Sequence, residues 1–371
     1  MNEITPAALA PTVAWLAFAL AFVFGVVAQR SNFCTMGAVS DIVNIGDWTR
    51  MRMWLAAIAV AIAGAQGLHL AGAIDLGKSI YVGERLNWLS CVIGGACFGV
   101  GMTLASGCGS KTLLRVGSGN LKSLIVLLML AITAYMTLRG VFGVWRVAYL
   151  DPVSVTLAGS QDLPSLLARL AGIERGVARV AATLLIAAAL LAFCLRSGEF
   201  RRADNLVSSV IIGLVITGGW YVSGRIGYLS EDPNTLQEAF AATNSGRMES
   251  FSFVAPVAYT LELLMMWSDK SRIVTFGVAA TLGVVAGSLA WSLYSRTFRL
   301  ESFRDAEDTL NHLAGGALMG FGGVTALGCT VGQGLTGIST LAAGSFVTLA
   351  AIVAGSVAAF RYQVWRIERS A

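Results

Sequence analysis

The chain has 371 residues, of which 56% are hydrophobic and only 13% are charged, and its mean hydropathy is +0.71. About a quarter of the residues of an average soluble domain are charged, so this composition excludes an ordinary water-soluble protein. The formal net charge is only +5, and we expect neither a nucleic-acid partner nor a cofactor. The composition therefore predicts an integral membrane protein.

Uncharged runs long enough for membrane helices recur along the chain, at 12–29, 53–74, 86–110, 123–138, 180–195, 205–224, 273–295 and, unbroken, 309–360. One crossing needs about 20 residues, so the last run is long enough for two helices. The apolar stretch from Phe251 to Trp267 contains Pro256 and Glu262, which favours a broken or re-entrant segment. We predict an all-α integral membrane protein with about nine transmembrane helices and short re-entrant or broken segments.

The distribution of Lys and Arg predicts an orientation. If the N-terminus lies outside, the inner segments carry more Lys and Arg than the outer ones, as the positive-inside rule requires. The C-terminus is then cytoplasmic, and the first eleven residues lack the basic region of a removable signal peptide. The long polar segments 139–179 and 225–250 are interpreted as solvated loops, with caps over an entry as the alternative.

A glycine-rich passage centred on a cysteine occurs twice, around Cys108 and around Cys329. Ten identical residues recur at an offset of 221 without a gap. Five predicted crossings separate the copies, so they run in opposite directions unless 251–267 also spans the membrane. We predict a single transmembrane domain over 1–371, with inverted pseudo-repeats at roughly 12–141 and 205–360 joined by 142–204.

A third cysteine, Cys34, follows the first apolar run in a similar setting, within Arg30-Ser31-Asn32-Phe33-Cys34-Thr35-Met36-Gly37-Ala38. The glycines before Ala105 and Ala326 are spaced for close helix packing. Those that follow break the helix and expose amides that could bind an anion. The other three cysteines lie inside apolar runs, which favours simple packing for Cys91, Cys97 and Cys194.

Four chemistries would explain a thiol in each of three broken passages. A thiol is a weak donor and a soft, polarizable partner, which suits a permeating soft anion held at successive weak sites. A soft-metal path, a redox relay and purely structural thiols are the alternatives. No CxxC pair or local His cluster accompanies these cysteines, so we expect no metal site.

Polar residues beside the thiols are further candidates for substrate binding. Gln333 could donate to an oxyanion or simply fill its turn. Arg30, Asn32 and Lys111 flank the thiols on the predicted inner side, where a cationic rim would stabilise an anion. The positive-inside rule accounts equally well for the two charges.

The passages Arg-Ser-Asn-Phe-Cys at 30–34, Ala-Ser-Gly-Cys-Gly at 105–109 and Leu-Gly-Cys-Thr-Val-Gly-Gln-Gly at 327–334 resemble the signatures of the YeeE/YedE family of sulfur transport proteins. The resemblance covers nearly the whole chain. It implies a bacterial inner-membrane protein whose inverted halves meet as an hourglass. It also implies thiosulfate uptake through a narrow route lined by Cys34, Cys108 and Cys329, by weak thiol contacts without covalent bonds.

The resemblance leaves the substrate and the partner open. Some family members are linked to selenium or to other substrates, and some work with a small cytoplasmic sulfurtransferase resembling TusA. We therefore predict a non-enzymatic transporter of thiosulfate or a similar sulfur anion in a lipid bilayer. A membrane thiol or redox relay, or a protein of sulfur or selenium metabolism with another substrate, is the alternative.

Overall fold

The computed structural model describes residues 5–370 except 234 and 304, and most of them are helical. In chain order the helices are α1 (Pro6–Arg30), α2 (Thr35–Ile45), α3 (Thr49–Leu70), α4 (Trp88–Leu104), α5 (Gly109–Gly117), α6 (Leu121–Arg139), α7 (Val141–Trp145), α8 (Leu163–Ala171), α9 (Arg175–Leu195), α10 (Ala203–Tyr221), α11 (Ala255–Met265), α12 (Phe276–Tyr294), α13 (Ala306–Thr325) and α14 (Ala343–Ser370).

Short elements complete the fold. Two small antiparallel sheets pair β1 (Arg85–Leu86) with β2 (Val155–Thr156) and β3 (Tyr228–Leu229) with β4 (Ala239–Phe240). A 3₁₀ turn covers Leu76–Lys78, and π-helical turns cover Arg146–Leu150, Val222–Ile226 and Gly332–Gly337. The last of these lies in a ten-residue helical stretch over 330–339, called here the Cys329 helix. The predicted all-α membrane fold is confirmed.

Eight helical segments of the described chain are long and apolar enough to cross a membrane, compared with the nine predicted. The difference is α13, which spans 20 residues but has Glu307 and Asp308 in its first turn and several glycines further on. These residues lower its mean hydropathy. The stretch 251–267 contains only the 11-residue helix α11, about half of what a crossing requires.

Helices α4 and α13, which directly precede the Cys108 and Cys329 passages, pack closely against each other. A Cβ atom at Gly101 would lie 2.7 Å from the carbonyl oxygen of Gly315, and one at Gly315 would lie 2.7 Å from that of Gly101. Only glycine allows two backbones to approach this closely. The prediction that the glycines before Ala105 and Ala326 serve helix packing is confirmed.

The other large contacts each pair a helix from the first part of the chain with a helix from the last part. Helix α4 also packs on α14, whereas α13 packs on α6. Helix α1 packs on α12, and α10 packs on α3. These exchanges fit two related halves, but the inverted repeats over 12–141 and 205–360 and their hourglass shape stay a prediction.

The interpretation of 139–179 as solvated loop is wrong. This stretch contains helix α7, the π-helical turn Arg146–Leu150, strand β2, helix α8 and the start of α9, and the side chains of Asp162 and Arg179 are buried. The segment packs against the end of the Cys329 helix through backbone contacts such as Leu163 N to Leu341 O, 2.9 Å. Solvated loops do not bury charged groups, because desolvation is costly without a partner.

Candidate functional site

The three singled-out cysteines share one backbone geometry. Two residues before each cysteine stands a residue in the left-handed region: Asn32 with φ 51°, Ser106 with φ 54° and Leu327 with φ 58°. Such angles are uncommon for residues other than glycine. In each passage the left-handed residue ends one helix, and the cysteine directly precedes the next.

Each cysteine therefore lies where backbone N–H groups are free to donate. The amide of Gly37 donates to Cys34 Sγ at 3.5 Å, and the amide of Gly332 donates to Cys329 Sγ at 3.4 Å. Helix N-termini carry such unpaired amides and a partial positive charge. The same features that hold the sulfur atoms in place also favour an anion beside them.

The structure brings these thiols together. The Cys108 thiol lies beside the Cys34 thiol and beside Thr330, which follows Cys329 directly. The Ser110 hydroxyl is 3.3 Å from Cys108 Sγ, whereas the buried Thr330 hydroxyl has no hydrogen-bond partner among the described residues. The Phe253 amide, in the broken segment that precedes α11, lies close to the Cys329 sulfur.

The thiols lie at a closed point of the molecule. Cys108 and Cys329 are 0% exposed and Cys34 is 5% exposed. An ion can pass here only if neighbouring groups separate. The groups in contact with the sulfur atoms are neutral hydroxyls, amides and thiols, which offer weak contacts. The nearest charge is that of Lys111, which lies beside Cys34 at the cavity described next.

A polar cavity of about 630 Å³ opens on the Cys34 side of this point. Five of its lining residues are cationic and two are acidic, which makes the lining basic: Arg50, Lys111, Arg115, Lys122, Arg299, Glu301 and Asp308. Cys34 and Asn32 also line it. Basic side chains at the edge of a low-dielectric region attract anions.

A second cavity of about 260 Å³ opens near the Cys329 passage, where Gly328 lines it. Its polar lining includes Glu249, Ser252 and Tyr81. Burial raises the pKa of the Glu249 carboxyl to about 7, and the Ser245 hydroxyl donates to it at 3.0 Å. This mouth therefore contains an acid that is half neutral near neutral pH.

The other predicted site residues lie in different surroundings. Lys111 Nζ donates to Asn32 Oδ1 at 3.2 Å, so these two residues meet at the basic cavity. Arg30 lies outside that cavity, on the exposed surface, where it pairs with Asp204 at 2.7 Å. The Gln333 amide nitrogen donates to the carbonyl of Ala326, and its side chain bends back against its own turn.

The remaining cysteines lie inside helices, as their apolar surroundings predict. Cys91 and Cys97 belong to α4. Cys194 belongs to α9 and donates to the carbonyl oxygen of Arg52 at 3.2 Å. All six cysteines are free, and in the described part of the chain no group of three His, Cys, Asp or Glu residues could hold a metal ion.

Sequence reasoning missed several residues beside the thiols. Thr330 and Ser110 contact Cys108, but hydroxyl residues next to a cysteine give no signal of their own. Tyr81 is 4% exposed, and its hydroxyl has no partner among the described residues. Tyr81 lies in the loop between α3 and α4, where no motif marks it. Only the fold shows that it lies near Cys329.

Comparison with known proteins agrees with this geometry. The model of a family described as Sulphur transport matches residues 30–358. The chain is 28% identical over 329 residues to the thiosulfate transporter TsuA of Escherichia coli, covering 84% of this chain and 83% of that protein. It is 26% identical over 349 residues to the thiosulfate transporter TsuA of Spirochaeta thermophila, covering 92% and 96%. The match to the family model extends over most of the chain and includes all three cysteine passages, so this multi-pass membrane protein belongs to the Sulphur transport (YeeE/YedE) family.

Proposed function

We propose that this protein takes up thiosulfate across the bacterial inner membrane, along a route that passes Cys34, Cys108 and Cys329. One observation carries the proposal. The Cys108 thiol contacts Cys34, which lines the basic cavity, and Thr330, which follows Cys329 beside the second cavity. The names of the two relatives support thiosulfate as the sulfur anion.

The chemistry of the route follows from its lining. Thiosulfate carries a soft terminal sulfur, which accepts weak S–H contacts, and three hard oxygens, which accept N–H and O–H bonds. The backbone amides at the cysteines and the hydroxyls of Ser110 and Thr330 supply such donors. Each contact is weak, so the ion can leave one thiol for the next without a covalent bond.

The membrane orientation belongs to the same proposal. An N-terminus outside and a C-terminus in the cytoplasm require an odd number of crossings, so α13, with its 20 residues, would be the ninth beside the eight apolar segments. The basic cavity is then the inner mouth and the Glu249 cavity is the outer one. The cations Lys111 and Arg50 would then stabilise the anion as it leaves Cys34. A small TusA-like sulfurtransferase at this inner mouth stays a prediction of the family resemblance.

Uptake of labelled thiosulfate by cells that depend on this protein tests the proposal. We expect Cys34→Ala, Cys108→Ala and Cys329→Ala each to lower uptake by about tenfold or more. Cys194→Ala is the matched control, because that thiol is buried in α9 away from the route. Undiminished uptake by the triple variant would overturn the proposal.

A redox relay is the second candidate, because the Cys34 and Cys108 thiols lie in contact. Such a relay needs the two thiols to form a disulfide, which releases two protons and passes two electrons to an external oxidant such as a quinone or another disulfide. Serine keeps an O–H donor but cannot be oxidised in this way. Partial uptake by Cys34→Ser and Cys108→Ser, together with loss in the alanine variants, would favour transport over the relay.

A further inference from the structure

The turn that follows the Cys329 helix is held by residues of the segment between α6 and α10. Leu163 N donates to Leu341 O at 2.9 Å, and Ala343 N donates to Gln161 O at 3.2 Å. The amide of Gly344 also donates to the Gln161 side chain at 3.2 Å. A stretch outside both cysteine passages thus pairs with the end of one of them.

A buried chain of polar side chains runs from this stretch to the same helix. Asp162 Oδ2 lies 3.3 Å from Arg179 Nη2, and Arg179 Nη1 donates to Gln66 Oε1 at 2.9 Å. Gln66 Nε2 then donates to the backbone carbonyl of Ser339 at 2.9 Å. Ser339 is the last residue of the Cys329 helix.

Every link of this chain is shielded from solvent. The side chains of Asp162 and Arg179 are 1% and 7% exposed, and Gln66 is 0% exposed. Burying a charged pair is expensive, and apolar side chains of similar size often stabilise a fold as well or better. Buried pairs are therefore weak evidence for stability alone, and a role in fixing one arrangement is the hypothesis to test.

The corresponding turn after α5 is held differently. Arg299 N donates to Ser118 O at 3.1 Å, and Leu121 N donates to Glu301 O at 2.9 Å. These contacts come from the exposed chain between α12 and α13. A turn of this kind can thus be held from an exposed segment, so turn formation alone does not explain the buried chain at Ser339.

We infer that Asp162, Arg179 and Gln66 form a positioning relay that fixes the Cys329 helix, and with it Cys329 and Thr330, in the transport route. The inference rests on the proposed function and extends it to the connecting segment. Arg179 contacts no substrate in this account. It acts through Gln66 on the carbonyl of Ser339, at the opposite end of the helix from Cys329.

Gln66→Glu removes the hydrogen bond to Ser339 and leaves the Asp162–Arg179 ion pair in place. A carboxylate at this position still accepts from Arg179, but it has no N–H to donate to Ser339 O. Arg179→Gln removes the cation itself, and Arg179→Lys keeps the charge. Arg175→Gln is the matched control, because Arg175 also pairs with Asp162 at 3.3 Å but is 55% exposed.

Two measurements are needed. The first is the concentration dependence of thiosulfate uptake, normalised to folded protein in the membrane. We expect Gln66→Glu and Arg179→Gln to lower the maximal rate about tenfold, Arg179→Lys to restore part of it, and Arg175→Gln to stay near the wild-type rate. The second is the rate at which N-ethylmaleimide labels Cys329 in a protein whose other cysteines are alanine, and we expect the first two variants to change it severalfold.

The labelling rate separates this inference from the proposed function, because it does not require transport. Wild-type uptake and labelling in Gln66→Glu would overturn the inference, even if Arg179→Gln fails to fold. Loss of uptake with unchanged labelling of Cys329 would also overturn it, since the effect would then bypass that residue. Equal uptake by wild type and Cys329→Ala would instead defeat the proposed function and leave the labelling test intact.

Discussion

The passages around Cys108 and Cys329 have the same backbone but different surroundings. In both, a left-handed residue ends a helix and a cysteine precedes the next one. Each sulfur has the backbone amide three residues further on as a neighbour, that of Lys111 at Cys108 and that of Gly332 at Cys329. The Cys108 sulfur has side-chain neighbours in addition, namely the Cys34 thiol and the Ser110 and Thr330 hydroxyls. The Cys329 sulfur is contacted by backbone amides, including those of Gly332 and Phe253.

This difference shows what a duplicated sequence determines. The shared glycines and small residues specify where the helix breaks, because these choices are local. The contacts of each sulfur also depend on which residue types the neighbouring segment supplies. The Cys34 passage supplies a thiol to Cys108, whereas the stretch around Phe253, at the same offset of 221, has no cysteine and supplies a backbone amide to Cys329. Five substitutions in four experiments test this difference, and the first is expected to change the protein most.

Gly101→Val disrupts the contact between α4 and α13, the helices that precede Cys108 and Cys329. A Cβ atom at Gly101 would lie 2.7 Å from Gly315 O, so α4 and α13 must separate. We expect a loss of about 3 kcal/mol or more in stability, measured as a lower thermal midpoint of the purified protein. Gly67→Val is the control, because a Cβ atom there meets nothing within 4 Å. An unchanged midpoint for Gly101→Val would show that the two helices do not need this close approach.

Thr330→Val tests the point at which the two passages meet. Valine keeps the shape of threonine but loses the hydroxyl near the Cys108 thiol. The Thr330 hydroxyl is buried without a hydrogen-bond partner among the described residues, so it is free to donate to a passing anion. We expect thiosulfate uptake to fall about three- to tenfold with little change in protein level, because the variant cannot donate to the anion. Thr281→Val in α12, whose hydroxyl bonds only to Gly277 O in its own helix, should leave uptake unchanged. Equal uptake by both variants would remove Thr330 from the route.

Glu249→Gln tests the Cys329 side alone. The pKa of Glu249 is raised to about 7 by burial, so the carboxyl is mostly neutral at pH 6 and mostly ionised at pH 8. Tyr81, Tyr259 and Arg146 line the same cavity. An ionised carboxyl repels an anion, so we expect uptake to fall about twofold or more as external pH rises from 6 to 8. Glu249→Gln should make this profile flat, and a profile unchanged by the substitution would contradict the assignment.

Leu327→Gly and Ser106→Gly compare the two left-handed residues directly. Glycine adopts this region without strain but gains freedom in the unfolded chain, so the net effect is small. We expect each substitution to change stability by less than about 1 kcal/mol and in the same direction, measured by thermal unfolding. Opposite signs would mean that the two backbones are not equivalent.

The sequence alone was sufficient for the local part of this site. The repeated glycines and the cysteines at Cys34, Cys108 and Cys329 predicted three helix breaks, and the structure has a helix end and a helix start at each. Hydropathy predicted the membrane fold, because the bilayer requires long apolar helices whatever their packing. The ninth predicted crossing corresponds to α13, which is long enough at 20 residues but is less apolar than the other eight because of its polar first turn and its glycines.

The contacts between distant segments could not be predicted. Asp204 pairs with Arg30 across the fold, so a basic residue beside Cys34 in sequence lies outside the basic cavity. The Asp162–Arg179 pair was hidden in a stretch whose polar composition favours solvated loop. A signal was present in Gln66, an amide inside an apolar run, since polar groups within membrane helices are seldom there without a partner.

The unequal linings of the two cavities have an electrical consequence. One mouth is lined by Arg50, Lys111, Arg115, Lys122 and Arg299 with two acids, and the other by Arg146 and Glu249. On the proposed route a divalent anion therefore meets a positive potential at one end and a titratable acid at the other. Such a pathway rectifies: at equal and opposite driving forces, the anion flux differs between the two directions.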